Sequence, residues 1–453
     1  MAKSWQTLSH SAALFVLMVG ACLGAVAAGH AQGATAFPTA KTSSGKERGV
    51  PGRLPDRPSI PPAFSIPVEP LGFSAPGAIY LGQRNVLASL DFIDEDRLLF
   101  TFRVPGLLHR DAANRSWSDE RRIRAVVLTL PSGAIAAEAL WTVHDRVRYL
   151  WMLKDGTFLL RDGFGIEQGD ASLGLKPALH FPGPLQWMEM DPSQGFLVTN
   201  SDEPVEAAAK PGDVPKPAGA QATMTVDDQR AGAPDPGSPN LVVRILRRET
   251  GKVMLVSRTR QPVHLPINSD GYVESLRGDG EQWLLNLSYF SGGSRVLGRV
   301  TSACPPGIDF VSQRELLVTG CEASGGQRLV ALTTDGRRLW EASTSPQTIW
   351  PQLVMAPDGS RLARETLVVN HEINAYSPLD TDDIKGQLLQ VFNAANGAVA
   401  LETSASPPLD AGGNVAISPS GRRVAVVNAG AIQVFELPAP PPMPADPKAP
   451  SAH

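Results

Sequence analysis

Cysteine, histidine and carboxylate side chains carry much of protein chemistry, and in this chain they are few and scattered. Beyond an apolar N-terminal stretch there are two cysteines, Cys304 and Cys321, and six histidines, His109, His144, His180, His264, His371 and His453. No two of these histidines stand two or four residues apart, so no local metal-binding motif is present. His144-Asp145 and His371-Glu372 are adjacent pairs whose plainer reading is solvated or capping residues, and His264 opens a short apolar run. Asp91, Glu189 and Glu365 recur through apolar hairpins, although recurrence alone does not make a site. The nucleophile elbow Gly-x-Ser-x-Gly and a glycine-rich phosphate loop are both absent. No catalytic, cofactor-binding or metal-binding residue is therefore assigned, and no cofactor is implied.

The cysteines point instead to a disulfide. A turn centred between Ser312 and Gln313 sets Cys304 directly opposite Cys321, close to bridging distance. Free thiols are the alternative, because a one-residue change in the turn breaks the pairing, and Pro305-Pro306 disturbs a ladder beside Cys304. The N-terminus gives the compartment in which such a bond persists: Lys3, an apolar core over 12–28, then Gly29-His30-Ala31. This is the layout of a secretory signal peptide cut after Ala31. Val19-Gly20-Ala21-Cys22 leaves open a lipid anchor at Cys22, and a retained signal anchor is a further alternative. No other stretch is long and apolar enough to span a membrane. The expected location is the periplasm or the medium.

Composition narrows the class further. The formal charge is -4, with basic residues dispersed, which argues against nucleic-acid binding. High Gly (42) and Pro (40) with only 19% charged residues suit a turn-rich β protein with some disordered segments.

The stretch from Cys304 to Ser343 supplies the repeating unit: two hairpins, turning at 312–315 and 334–336, which predict one four-stranded antiparallel sheet. First hairpins recur near 94, 155, 192, 270, 313, 358 and 420, giving seven copies, with six or eight as alternatives. The fourth copy, from Val263 to Val300, has the least regular first half. Polar insertions fall at 108–122, 202–239 and 370–385; the Ala/Pro/Gly-rich 202–239 tract reads as a disordered loop. The last copy has three strands and the N-terminus a spare one, so that strand is expected to close a ring. The predicted organisation is a signal peptide over 1–31, a disordered leader over 32–62, a β-propeller over 63–438 and a Pro-rich tail over 439–453. Trp141, Trp151, Trp187, Trp283, Trp340 and Trp350 fall in or beside strands and are expected to fill the spaces between blades. Trp117, in a polar loop with His109, Arg110 and Arg115, is the candidate partner contact.

Val354-Met355-Ala356-Pro357-Asp358-Gly359-Ser360-Arg361-Leu362-Ala363 and Ala416-Ile417-Ser418-Pro419-Ser420-Gly421-Arg422-Arg423-Val424-Ala425 resemble the S-P-D-G hairpin of bacterial exported WD40-like β-propellers, including the YVTN and quinoprotein-like groups. The resemblance implies an all-β propeller of four-stranded blades, and it specifies fold far better than function. The expected role is a monomeric, non-catalytic binding or scaffold module that takes a protein or small ligand at a rim or in the central funnel. The alternative is an exported lactonase or hydrolase with a metal in that funnel. Convergence of His and carboxylate side chains from three blades on the axis would favour the alternative.

Overall fold

The computed structural model describes residues 60–74, 88–104, 121–144, 148–203, 241–260, 263–323, 325–371, 381–405 and 413–442. The chain forms a seven-bladed β-propeller with almost no helix. Strand β1 (Phe64–Pro67) precedes the first blade, which is β2 (Ser89–Phe92), β3 (Arg97–Arg103), β4 (Arg121–Thr129) and β5 (Ala134–Val143). The second is β6 (Leu150–Met152), β7 (Phe158–Asp162), β8 (Gly165–Gly169) and β9 (Leu175–His180); the third is β10 (Leu185–Met190), β11 (Phe196–Asp202), β12 (Leu241–Arg247) and β13 (Val253–Thr259). The fourth has β14 (Gly271–Arg277), β15 (Gln282–Tyr289) and β16 (Ser294–Thr301). The fifth has β17 (Gly307–Ser312), β18 (Glu315–Cys321), β19 (Gln327–Thr333) and β20 (Arg338–Ser343). The sixth has β21 (Thr348–Met355), β22 (Arg361–Val369), β23 (Ile384–Asn393) and β24 (Val399–Ala405), and the seventh β25 (Val415–Ile417), β26 (Arg423–Asn428) and β27 (Ala431–Glu436).

The seventh sheet runs β1-β27-β26-β25, so the N-terminal strand completes the last blade, with Ile66 opposite Ile432. The first strands crowd together, β2 lying against both β25 and β6, while the last strands are the most exposed. The first strand of each blade is therefore innermost. Alternation sends successive side chains to the two faces of each blade, and each face meets a neighbouring blade. The described core divides accordingly into seven apolar clusters, one between each consecutive pair of blades and one joining the seventh to the first. Trp141, Trp151, Trp283 and Trp340 sit in four of them. Three of these indoles donate to backbone carbonyls, those of Leu173, Ser302 and Ala394, and so bury their one polar atom satisfied. The side chain of Trp350 lies outside the described residues.

Turn chemistry explains the hairpins. Asp358 accepts from the Ser360 amide at 2.9 Å while Gly359 takes φ +74°. At the seam, Gly133 (φ +70°) has its Cα against Ile66, where a Cβ would lie 2.7 Å from a methyl of that side chain.

Three expectations need correction. Strand β4 begins at Arg121, inside the segment read as a polar insertion, and β11 runs on to Asp202, with Glu203 buried against Arg244 at 2.5 Å. The 202–239 tract is thus ordered at its start; residues 204–239 lie outside the described set. The disulfide Cys304–Cys321 is present, with Cα atoms 5.5 Å apart, but the ladder register is one residue off the expected one. Ile308 faces Val318, and a shift between Phe310 and Ser312 absorbs the extra residue. Cys304 precedes β17 and reaches its partner along an irregular segment, which Ser302 fixes by accepting from the Cys321 amide at 2.9 Å. The fourth blade, finally, is three-stranded, its first strand reduced to one bridge between Ile267 and Tyr272.

Candidate functional site

The gap in the fourth blade organises a polar cluster that links the third, fourth and fifth blades. The segment that should be its inner strand contains Pro262 and Pro266, neither of which has an N–H to offer a ladder. Side chains hold it instead. The Asn200 amide, wholly buried on β11, accepts from the Val263 N–H at 3.1 Å and donates to the Val263 carbonyl at 3.2 Å. At the turn, Asn268 Nδ2 donates to the Gln313 carbonyl at 3.0 Å and the Ser269 N–H to Gln313 Oε1 at 2.7 Å. Gln313 Nε2 then donates to Asp191 Oδ2 at 2.8 Å, so the fifth blade touches the third directly across the depleted fourth.

His264 stands at the centre of this arrangement. Its Nδ1–H donates to Glu189 Oε1 of the third blade, and its Nε2–H donates to the Ile308 carbonyl of the fifth at 2.8 Å. The Trp187 indole also donates to Glu189 Oε1, at 2.5 Å. Two acceptors facing the two ring nitrogens require both to carry protons. Burial works against a charged ring here, but the Glu189 carboxylate, Asp309 and the Ile308 carbonyl outweigh it and push the His264 pKa up to about 10. Water still reaches 42% of the side chain, against 17% for Glu189. Burial raises the Asp309 pKa, with His264 opposing and Glu189 adding to the shift. At neutral pH the group is an imidazolium held between blades, with no lone pair for a proton or a metal.

Two further buried polar groups lie between other blades. Between the first and second blades, burial pushes Asp91 up to about 6 against the pull of Arg148 and a 2.5 Å hydrogen bond from Ser89. The Arg148 and Arg161 guanidinium carbons lie 5.3 and 5.7 Å from the Trp151 ring centre, which disperses positive charge over an aromatic face. Between the sixth and seventh blades, burial pushes Glu365 up to about 8, the neighbouring Asn414 opposing the shift. Asn414 Nδ2 is in turn given to Gln387 at 3.2 Å. On the opposite face of the same strand, Arg364 donates to Gln327 Oε1 at 2.6 Å, and burial lowers its pKa to about 10.

The predicted candidates thus separate. Glu189 and His264 meet; Asp91 and Glu365 belong to other blade interfaces. His144 pairs with Asp162 at 2.8 Å, through a ring nitrogen and its own N–H, and His371 lies 3.8 Å from Asp383. Their sequence neighbours Asp145 and Glu372 lie outside the described residues, as do His453 and the loop candidates His109, Arg110, Arg115 and Trp117. His180 stacks on Phe164. Histidine and carboxylate from three consecutive blades do converge, yet among the described residues no three His, Cys, Asp or Glu side chains are grouped to hold a metal ion. The sequence reading missed Asp309, Trp187, Asn200 and Gln313; the two prolines flanking His264 were the available signal that side chains must replace a strand there.

No family model matches the chain, and no curated protein matches it. Among solved structures it is similar to the acylaminoacyl peptidase of Pyrococcus horikoshii, with 11% identity and a TM-score of 0.44 over 75% of this chain and 48% of that one. The chain therefore spans about half the length of that peptidase. A chain of the mitotic checkpoint complex gives 11% identity and 0.42 over 88% of this chain and 98% of that one. The β-propeller domain of the Trilobed protease from Pyrococcus furiosus gives 9% and 0.41 over 77% and 95%. Likenesses at this level concern the fold alone. Among the described residues no helix is long and apolar enough to cross a membrane.

Proposed function

We propose that this chain is an exported, non-catalytic binding module of the bacterial WD40-like kind, a rigid ring that presents surfaces to a protein or small ligand. One observation carries the reading: His264 and Glu189 are spent on each other and on a backbone carbonyl, as a clamp across a depleted blade. A hydrolase of the lactonase kind needs a histidine nitrogen free to take a proton or ligate a metal, and His264 offers neither. The Cys304–Cys321 disulfide supports export, because such a bond persists in oxidising compartments. The test is turnover of a panel of lactones and esters by the purified protein, with and without added zinc, calcium or manganese. No turnover above the His264→Gln variant is expected; turnover that this variant abolishes would overturn the reading.

A further inference from the structure

A buried arginine keeps its charge, because a guanidinium does not deprotonate in proteins, and interiors ordinarily hold such a charge only when it is paired. The buried arginines of this ring meet that requirement in different ways. Arg244 lies 2.5 Å from Glu203, Arg161 lies against the Trp151 ring, and Arg361 gives Nη2 to the Pro438 carbonyl with Asp358 nearby. Arg364 on β22 has no such compensation among the described residues. It is 1% exposed, and burial lowers its pKa with no carboxylate opposing. The hydrogen bond from its Nη2 goes to Gln327 Oε1, a neutral amide of the fifth blade.

The remaining donors gather on one face of the strand. Among the described residues no acceptor meets Arg364 Nε or Nη1, and none meets the hydroxyl of Thr366, which is likewise 1% exposed. Alternation puts Leu362, Arg364 and Thr366 on the side of β22 that faces the fifth blade, where Leu362 shares a core with Leu317 and Leu329. Residues two apart on a strand stand about 7 Å apart, a spacing that one small acceptor can bridge. Glu365 does not serve, since it points toward the seventh blade and burial holds its carboxyl protonated at neutral pH. A water molecule would satisfy the hydrogen bonds but leave the charge unbalanced, whereas an anion does both. One guanidinium calls for one negative charge, and the surrounding leucines offer no donors to the further oxygens of phosphate or sulfate.

We propose that Arg364 and Thr366 hold a monovalent, halide-sized anion, chloride under ordinary salt conditions, between the fifth and sixth blades. The ion accepts from the guanidinium and from the hydroxyl, while Gln327 holds Nη2. Because these atoms are sealed from water, the ion enters as the blades close and belongs to the folded ring. The claim is separate from the binding-module reading, since stability reports on it and turnover does not.

The test refolds the full chain and follows thermal melting in sodium gluconate and in sodium chloride at one ionic strength. Chloride should raise the midpoint saturably, by about 3 °C or more at about 150 mM, because a ligand held only by the folded state stabilises it by mass action. Bromide should substitute for chloride, and sulfate should not. Arg364→Met should abolish the response. Should that variant not fold, Thr366→Val, which keeps the shape and the charge, should raise the half-saturating chloride concentration about threefold or more. In crystals grown in bromide, an anomalous peak is expected within hydrogen-bonding distance of Arg364 and Thr366. Equal midpoints in chloride and gluconate, a chloride response that either variant leaves unchanged, or a bromide crystal without that peak would overturn the proposal.

Discussion

His264 carries one proton more than a neutral imidazole because two acceptors on different blades face its two nitrogens. Replacing it with alanine removes the charged partner of half-buried Glu189, which keeps the Trp187 indole, and frees the segment that stands in for a strand. The expected loss is about 2 kcal/mol in denaturant unfolding, the scale of hydrogen bonds to charged groups. The same proton sets a pH dependence. A histidine raised from 6.5 to about 10 stabilises the fold fully below 6.5, and that contribution is lost as pH climbs through about 10. Glu365, raised from 4.5 to about 8, and Asp91, raised from 3.8 to about 6, act in the same direction, since each carboxyl holds a proton in the folded state that it gives up when unfolded. Stability should therefore fall as pH rises from mildly acidic to alkaline. Glu365→Gln keeps the neutral shape: thermal melts near pH 5 should match wild type within about 1 kcal/mol, while the decline between about pH 5 and 8 should flatten. A variant as pH-sensitive as wild type would assign that decline to other groups.

At the scale of elements, the closing strand and the staple are the clearest levers. Ile66 on β1 is 4% exposed and belongs to the cluster that joins the seventh blade to the first. Ile66→Ala should cost about 2 to 4 kcal/mol, because it opens a cavity in that cluster and loosens the pairing of β1 with β27 that closes the ring. Replacing Cys304 and Cys321 together by serine opens a loop of 17 residues and should cost about 3 kcal/mol, read from unfolding midpoints with and without reductant. Both features were legible in the sequence, the first as a spare strand facing a three-stranded copy, the second as two cysteines across a short turn. The route to the second was imperfect. A bulge near Phe310 moves the register by one, and a bulge leaves no mark in the alternation of apolar residues. The fourth blade was read as irregular, but nothing local says that Asn200, Glu189 and Gln313 would supply the bonds that its prolines cannot.

For the whole molecule, seven apolar interblade cores make a ring whose stability is spread around its circumference, and buried polar groups lie between several of the blade pairs. The hairpin copies and the cysteine pair followed from the sequence by itself, because each depends on alternation and turn residues within a few tens of positions, and closure by the N-terminal strand followed from counting the strands of the first and last copies. The meeting of His264 with Glu189 and Ile308, 75 and 44 residues away, and of His144 with Asp162 rather than with its sequence neighbour, was decided by the tertiary structure alone. Those contacts arise from the radial packing of whole blades, which brings inner strands together irrespective of the loops that separate them along the chain.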